Sequence, residues 1–189
     1  LSLDNLVLIW YDFLNSFFDM NRIFVAALKE ETPNLDFFYY TGVGKINATY
    51  NLTKIIHKFK PNEIINFGTA GAIDQKLSGI IECTKFYQRD MDVSGLMNLK
   101  IGQTPFDNIN EIVNTESGYS CGSGDSFVQG KVPIKVDIVD MEAYALAKVC
   151  KLENINFRCF KFISDNADEA AKLDWVKNCK KGAELFKQK

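Results

Sequence analysis

The residues with which this chain could do chemistry are carboxylates at the ends of apolar runs. The run VDIV stops at Asp140-Met141-Glu142, FRCFKFI stops at Ser164-Asp165, and RIFVAAL is followed at once by Lys29-Glu30-Glu31. In open α/β sheets ligands bind outside the carboxyl ends of the strands, so acids at those positions are placed for proton transfer. The same residue types also begin helices, since Asp and Ser cap N-termini and Glu is favoured in a first turn. Local pattern does not separate the two. Few other acid-base groups are present: His57 is the only histidine and sits in the helix-like IIHKFK, where a surface role is expected. That removes the usual Ser-His and Cys-His nucleophile systems unless His57 is itself recruited, and it argues against a zinc site. No metal and no cofactor are expected.

Small residues mark three further places. Thr41-Gly42-Val43-Gly44-Lys45 precedes INATYNLTKIIHKFK, whose Ile46, Tyr50, Ile55 and Phe59 suggest one helical side. Glycines ahead of a helix can present amide N–H groups to an anion or a hydroxyl-rich ligand, or simply make a tight turn. The third glycine of a dinucleotide fingerprint and the spacing of a phosphate-gripping loop are both missing. The strand-like NEIINF runs into Gly68-Thr69-Ala70-Gly71-Ala72, which reads as a second glycine-rich turn with a hydroxyl at Thr69. No Arg or Lys occurs between Glu63 and Gln75, although a loop built to hold inorganic phosphate normally carries a cation. In GYSCGSGDSFVQG a strand and turn leave Phe127 free either to stack on a planar ring or to pack in the core.

The elements that must position these residues alternate between strands and helices, which indicates an α/β architecture. Strands are expected over 22–28, 62–67 and 79–87 and near Ile112-Val113. A polar stretch from about 94 to 115 reads as a loop or flap. From Leu173 the chain reads as one closing amphipathic helix, with Leu173, Val176, Ala183 and Phe186 at helical spacing.

A chain of 189 residues with 47% hydrophobic content fits one domain with a substantial core. With 22 basic against 24 acidic residues, scattered along the sequence, there is no electrostatic footprint for nucleic acid. Five widely spaced cysteines without a CxxC pair suit reduced thiols and a cytoplasmic location. Residues 1–19 are apolar but broken by Asp4, Asp12 and Asp19. They make a poor membrane span and a poor signal peptide, and Met20 is a more natural chain start. The expectation is an N-terminal extension over 1–19, without packing of Trp10 and Phe13 into the core, and a single domain over 20–189.

Six collinear motifs, VGKINA, NFGTAGA, RDMDV, GSGDSF, VDMEAYALAKVC and FISDNAD, give the chain a specific likeness. From about Ile23 to its C-terminus it resembles the nucleoside phosphorylase/nucleosidase superfamily, and within it the bacterial 5′-methylthioadenosine/S-adenosylhomocysteine nucleosidases. The resemblance implies a three-layer αβα fold with a central mixed β-sheet, no cofactor, a small-molecule nucleoside as partner, and a homodimer. It implies N-ribosyl hydrolysis through an oxocarbenium-like ribose, as in inverting glycosidases with an acid on one side and a base on the other. Asp165 then protonates the leaving purine with Ser164 orienting it, Glu31 activates water, and Glu142 grips the ribose hydroxyls above Met141. Thr69, Ala70 and Gly71 match the small-residue turn near the ribose and nucleophile, Phe127 and Val128 match the base-binding pair, and Asp140 acts through its neighbours.

Departures from the family pattern bear on this. Phosphorylases of the superfamily carry an arginine where this chain has Asn66-Phe67, so water is the expected nucleophile. Lys161 stands where the nucleosidases have arginine, keeping the charge while losing the planar fork that would position Glu31. The chain is shorter between Glu31 and Gly42 and between Val93 and Ser120, both of which shape the pocket for the sugar's 5′ group. Two other readings remain: a phosphorylase taking phosphate through Arg89, or through Arg22 from a neighbouring subunit, and a nucleoside-binding protein without turnover.

Overall fold

A computed structural model describes residues 21–187; the segment 1–19, expected to stand apart from the fold, lies outside them. The strands are β1 (Arg22–Ala26), β2 (Phe38–Tyr40), β3 (Glu63–Ala72), β4 (Ile80–Gln88), β5 (Glu111–Val113), β6 (Tyr119–Ser123), β7 (Ile138–Asp140) and β8 (Asn156–Asp165). The helices are α1 (Lys45–Phe59), α2 (Ala143–Leu152), α3 (Ala171–Asn178) and α4 (Lys181–Phe186), with a single 3-10 turn at Lys29–Glu31.

Alternation along the strands creates two apolar faces. Ile23, Val25, Ile64, Phe157 and Cys159 join Ala48, Leu52, Ile55 and Ile56 of α1 and Leu146 and Cys150 of α2 in one core. Phe24, Ala26, Phe67, Phe160 and Phe162 face the other way, onto Ala183 and Phe186 of α4, where the Phe67 and Phe186 rings lie 4.5 Å apart. Helices therefore cover both sides of a mixed sheet, the expected αβα arrangement.

Strand order is β2-β1-β3-β7-β6-β4-β5, and β8 pairs with both β3 and β4, so β3, β7, β6, β4 and β8 close into a ring. The long parallel pairing of β3 with β8 runs from Glu63↔Asn156 to Ala70↔Ile163. It then slips, so that Gly71 faces Asp165, while Gly71 also meets Val139 of antiparallel β7. The carboxyl ends of β3, β7 and β8 thus converge at one place.

Three local expectations are corrected. Gly68–Ala72 is not a turn but the second half of β3. Its glycines serve close packing: a Cβ on Gly68 would lie 3.2 Å from Lys161 Nζ and 3.3 Å from Glu31 Oε1. On α1 the buried face is Ala48, Leu52, Ile55 and Ile56, whereas Ile46 and Tyr50 are exposed. The C-terminal segment is two helices, and Leu173 and Val176 face solvent while Ala171, Cys179 and Ala183 are buried.

Candidate active site

A cavity of about 240 Å³ lies at the converging strand ends, and Glu31, Glu142 and Asp165 all line it. Thr69, Ala70, Gly71, Phe127, Val128, Met141 and Ser164 line it as well. Lys161 is placed differently: it is 2% exposed and stands behind the wall. Trp175, Arg89, Asp140, Val43 and Leu28 are also among the lining residues.

Glu31 is fixed by the turn that carries it. Leu28 N–H donates to Glu31 Oε2 at 3.1 Å, while the backbone N–H and hydroxyl of Thr69 both donate to Oε1, at 2.8 and 2.7 Å. A buried carboxylate with its acceptors occupied in this way has one orientation.

Glu142 occupies the residue before α2, yet its side chain makes no cap to that helix. Gly44 N–H donates to its Oε1 at 2.8 Å. The amide that a glycine pair ahead of α1 could offer to a ligand is therefore given to the protein's own acid. Burial, and then the nearby carboxylate of Asp140, push the Glu142 carboxyl up to about 8.

The capping role belongs to Asp140. Its Oδ2 accepts from Ala143 N–H at 2.9 Å, its Oδ1 accepts from the Ser123 hydroxyl at 2.5 Å, and Lys161 Nζ lies 2.8 Å from Oδ2. Burial opposes charge on both members of this pair. The pairing wins, so Lys161 is held well above the ordinary lysine value and Asp140 below the ordinary carboxylate value.

Asp165 owes its place to the slip in the β3–β8 register. A bulge suspends the two-residue alternation, so consecutive Ser164 and Asp165 both reach the cavity. The Ser164 hydroxyl donates to Asp165 Oδ2 at 2.8 Å, and Ala167 N–H donates to Oδ1 at 2.9 Å. Burial raises the Asp165 carboxyl above its ordinary value in spite of these bonds.

Both cations considered as phosphate ligands are engaged. Arg22 Nε pairs with Glu63 at 2.7 Å, at the opposite end of β1 from the cavity. Arg89 reaches the cavity, but its Nη2 donates to the carbonyls of Gly124 and Ser126 and its Nη1 to the Ser126 hydroxyl. His57 is on the surface, 3.9 Å from Glu153. Among the described residues no group of His, Cys, Asp and Glu is arranged to hold a metal ion.

The residue that sequence reasoning passed over is Trp175. It lies in α3, and its indole N–H donates to Thr69 Oγ at 2.9 Å. Only the placement of an aromatic residue in a C-terminal amphipathic segment hinted at it.

No protein-family model matches the chain. It is 30% identical to the 5′-methylthioadenosine/S-adenosylhomocysteine nucleosidase of Staphylococcus haemolyticus, over 83% of this chain and 82% of that protein. Among solved structures, a mutant of the Helicobacter pylori enzyme abbreviated MTAN, with 5′-methylthioadenosine in the active site, matches at TM-score 0.78 and 21% identity. That match covers 88% of this chain and 96% of the other. The native futalosine hydrolase of Helicobacter pylori matches at TM-score 0.77 and 22% identity, covering 88% and 95%. Fold and comparisons together define the class, the nucleoside phosphorylase/nucleosidase superfamily. Within it the chain belongs to the 5′-methylthioadenosine/S-adenosylhomocysteine nucleosidase family, and it is an N-ribosyl hydrolase.

Proposed function

We propose that this nucleosidase cleaves the N-ribosyl bond of a 5′-thio-substituted adenine nucleoside, of the methylthioadenosine or adenosylhomocysteine type, and releases adenine. One observation carries the reading: Glu31, Glu142 and Asp165, remote in sequence, line one cavity together with Phe127 and Met141.

Asp165, its carboxyl raised by burial, donates a proton to the departing base and turns a poor leaving group into a neutral one. Ser164 holds the carboxyl in place for that transfer. As the C1′–N bond breaks, positive charge grows on the ribose. Glu142, at the cavity wall, grips the ribose hydroxyls where that positive charge develops. Glu31 takes a proton from water as the water oxygen bonds to C1′. One proton leaves Asp165, one arrives on Glu31, and exchange with solvent restores both. Phe127, half-exposed at the cavity wall, stacks on the purine, and the Val128 backbone meets its edge.

Water rather than phosphate is the nucleophile in this reading, because Arg22 is paired with Glu63 and both Nη groups of Arg89 are bound by Gly124 and Ser126. Incubation of the enzyme with methylthioadenosine, adenosylhomocysteine, 5′-deoxyadenosine, adenosine and inosine, with and without phosphate, tests it. Adenine and free sugar from the 5′-thio nucleosides, independent of phosphate, are expected; ribose 1-phosphate formation, or binding without cleavage, overturns it.

Residues 20–189 are taken as the catalytic unit. The exposed Ile46, Tyr50 and Leu152 line an apolar groove between α1 and α2, which supports pairing of two copies there, to be read by sedimentation. All five cysteines are free and buried, which supports a reducing, cytoplasmic setting.

A further inference from the structure

We infer that Trp175 is a positioning residue for the water-activating base: its indole N–H fixes the Thr69 hydroxyl so that the hydroxyl proton points at Glu31 and leaves one defined oxygen site for water. This rests on the reading of Glu31 as the base.

The direction of the chain of bonds follows from the donors. An indole N–H can only donate, so Thr69 Oγ accepts from Trp175 at 2.9 Å. The single hydroxyl proton is then directed to Glu31 Oε1, 2.7 Å away. The Thr69 backbone N–H also ends on Oε1, at 2.8 Å, and Leu28 N–H takes Oε2 at 3.1 Å. An ionised carboxylate offers about four lone-pair sites. Three are filled by protein donors, both on Oε1 and one on Oε2, which makes the remaining site on Oε2 the place where a water proton can land. Without the indole the hydroxyl regains its rotation, and Oε1 no longer has a guaranteed second donor.

Trp175 also lines the cavity, so a simple packing role against the nucleoside has to be distinguished. The two roles separate in the kinetics. Trp175→Phe keeps an aromatic ring and deletes the donor. The expected result is a fall in kcat of about three- to tenfold, the usual worth of one neutral hydrogen bond, with KM for methylthioadenosine changed less than twofold. Thr69→Val should lower kcat further, Thr69→Ser should restore most of it, and adding Trp175→Phe to Thr69→Val should lower kcat no more. A rise in KM at constant kcat, or full additivity of the two substitutions, overturns the inference.

A measurement without substrate reads the bond directly. The chain has two tryptophans, Trp10 and Trp175, so a 15N spectrum carries two indole signals, and Trp10→Phe assigns them. Thr69→Val should shift the Trp175 signal upfield and leave the other in place; an unmoved signal rules the bond out. Glu31→Gln in the same series separates the two claims. If it retains turnover, the base reading fails. If it is disabling while Trp175→Phe and Thr69→Val are additive, only the role of Trp175 fails.

Discussion

The Lys161 ammonium lies 2.8 Å from the Asp140 carboxylate, with side chains 2% and 1% exposed. This ion pair joins β8 to the end of β7, with Asp140 lining the cavity and Lys161 behind it. Gly68 has no side chain to interpose between Lys161 and Glu31, both of which would crowd a Cβ placed there. A lysine supplies a point charge and not a fork, and the structure directs that charge to Asp140.

Removal of one partner from a buried pair strands the other, at a cost of about 3–5 kcal/mol. Lys161→Met is therefore expected to lower the urea unfolding midpoint strongly. The double variant with Asp140→Asn should recover part of the loss, because no buried charge is left, while the amide oxygen can still accept from Ala143 N–H. Equal midpoints for Lys161→Met and the native protein would show that the pair does not hold the wall.

Glu142 sets a pH dependence of stability whose sign can be worked out. Its folded carboxyl titrates near 8, against an ordinary value of 4.5. Between those values the folded state holds a proton that the unfolded state has released, so stability falls as pH rises from about 4.5 to about 8 and levels off above. The slope is at most about 1.4 kcal/mol per pH unit. Glu142→Gln removes it. In thermal melts of the ligand-free protein, the variant should gain on the native enzyme progressively from pH 5 to pH 8; a constant gap would mean that Glu142 ionises normally.

What could be read from sequence and what could not divides along physical lines. Strand ends were legible because apolar runs halt abruptly at charge, and Glu31, Glu142 and Asp165 stand at those halts. Gly68–Ala72 looked like a turn because Gly and Thr favour turns. Their real reason is tertiary: Lys161, Glu31 and Asp165 need the space. Hydrophobicity alone chose Ile46 and Tyr50 as the inner face of α1, but packing against α2 and the sheet selects the smaller Ala48 with Leu52. Trp175 was out of reach, since its partner Thr69 is 106 residues away. The bulge that turns Ser164 and Asp165 to the same side also has no local signature, because it arises from pairing with β3.

Gly71 offers a test of how tightly Asp165 is held. A Cβ there would lie 2.7 Å from Asp165 Oδ1 and 3.1 Å from Ala167 Cβ. Asp165 cannot yield freely, being bound by Ser164 and Ala167. Gly71→Ala should cut kcat by about tenfold or more, since displacements near 1 Å can cost up to about a hundredfold. The circular dichroism spectrum should stay native. Retained kcat would mean that the acid has more than one workable position.

Asp165→Asn keeps the shape of the side chain and deletes the transferable proton. Transfer by a positioned acid contributes about 10²- to 10⁴-fold, so kcat for methylthioadenosine should fall by that order. Adenine binding, followed by calorimetry, should persist, because Phe127 and Val128 are untouched. Ser164→Ala acts on the same carboxyl less directly. It removes one stabilising bond to Asp165 Oδ2 and so raises the acid's proton affinity further, which favours protonation but weakens orientation. Its kcat should drop by a smaller factor, and the alkaline limb of its pH–rate profile should move upward. A limb that moves down, or an Asp165→Asn enzyme with undiminished turnover, would remove Asp165 from the role of acid.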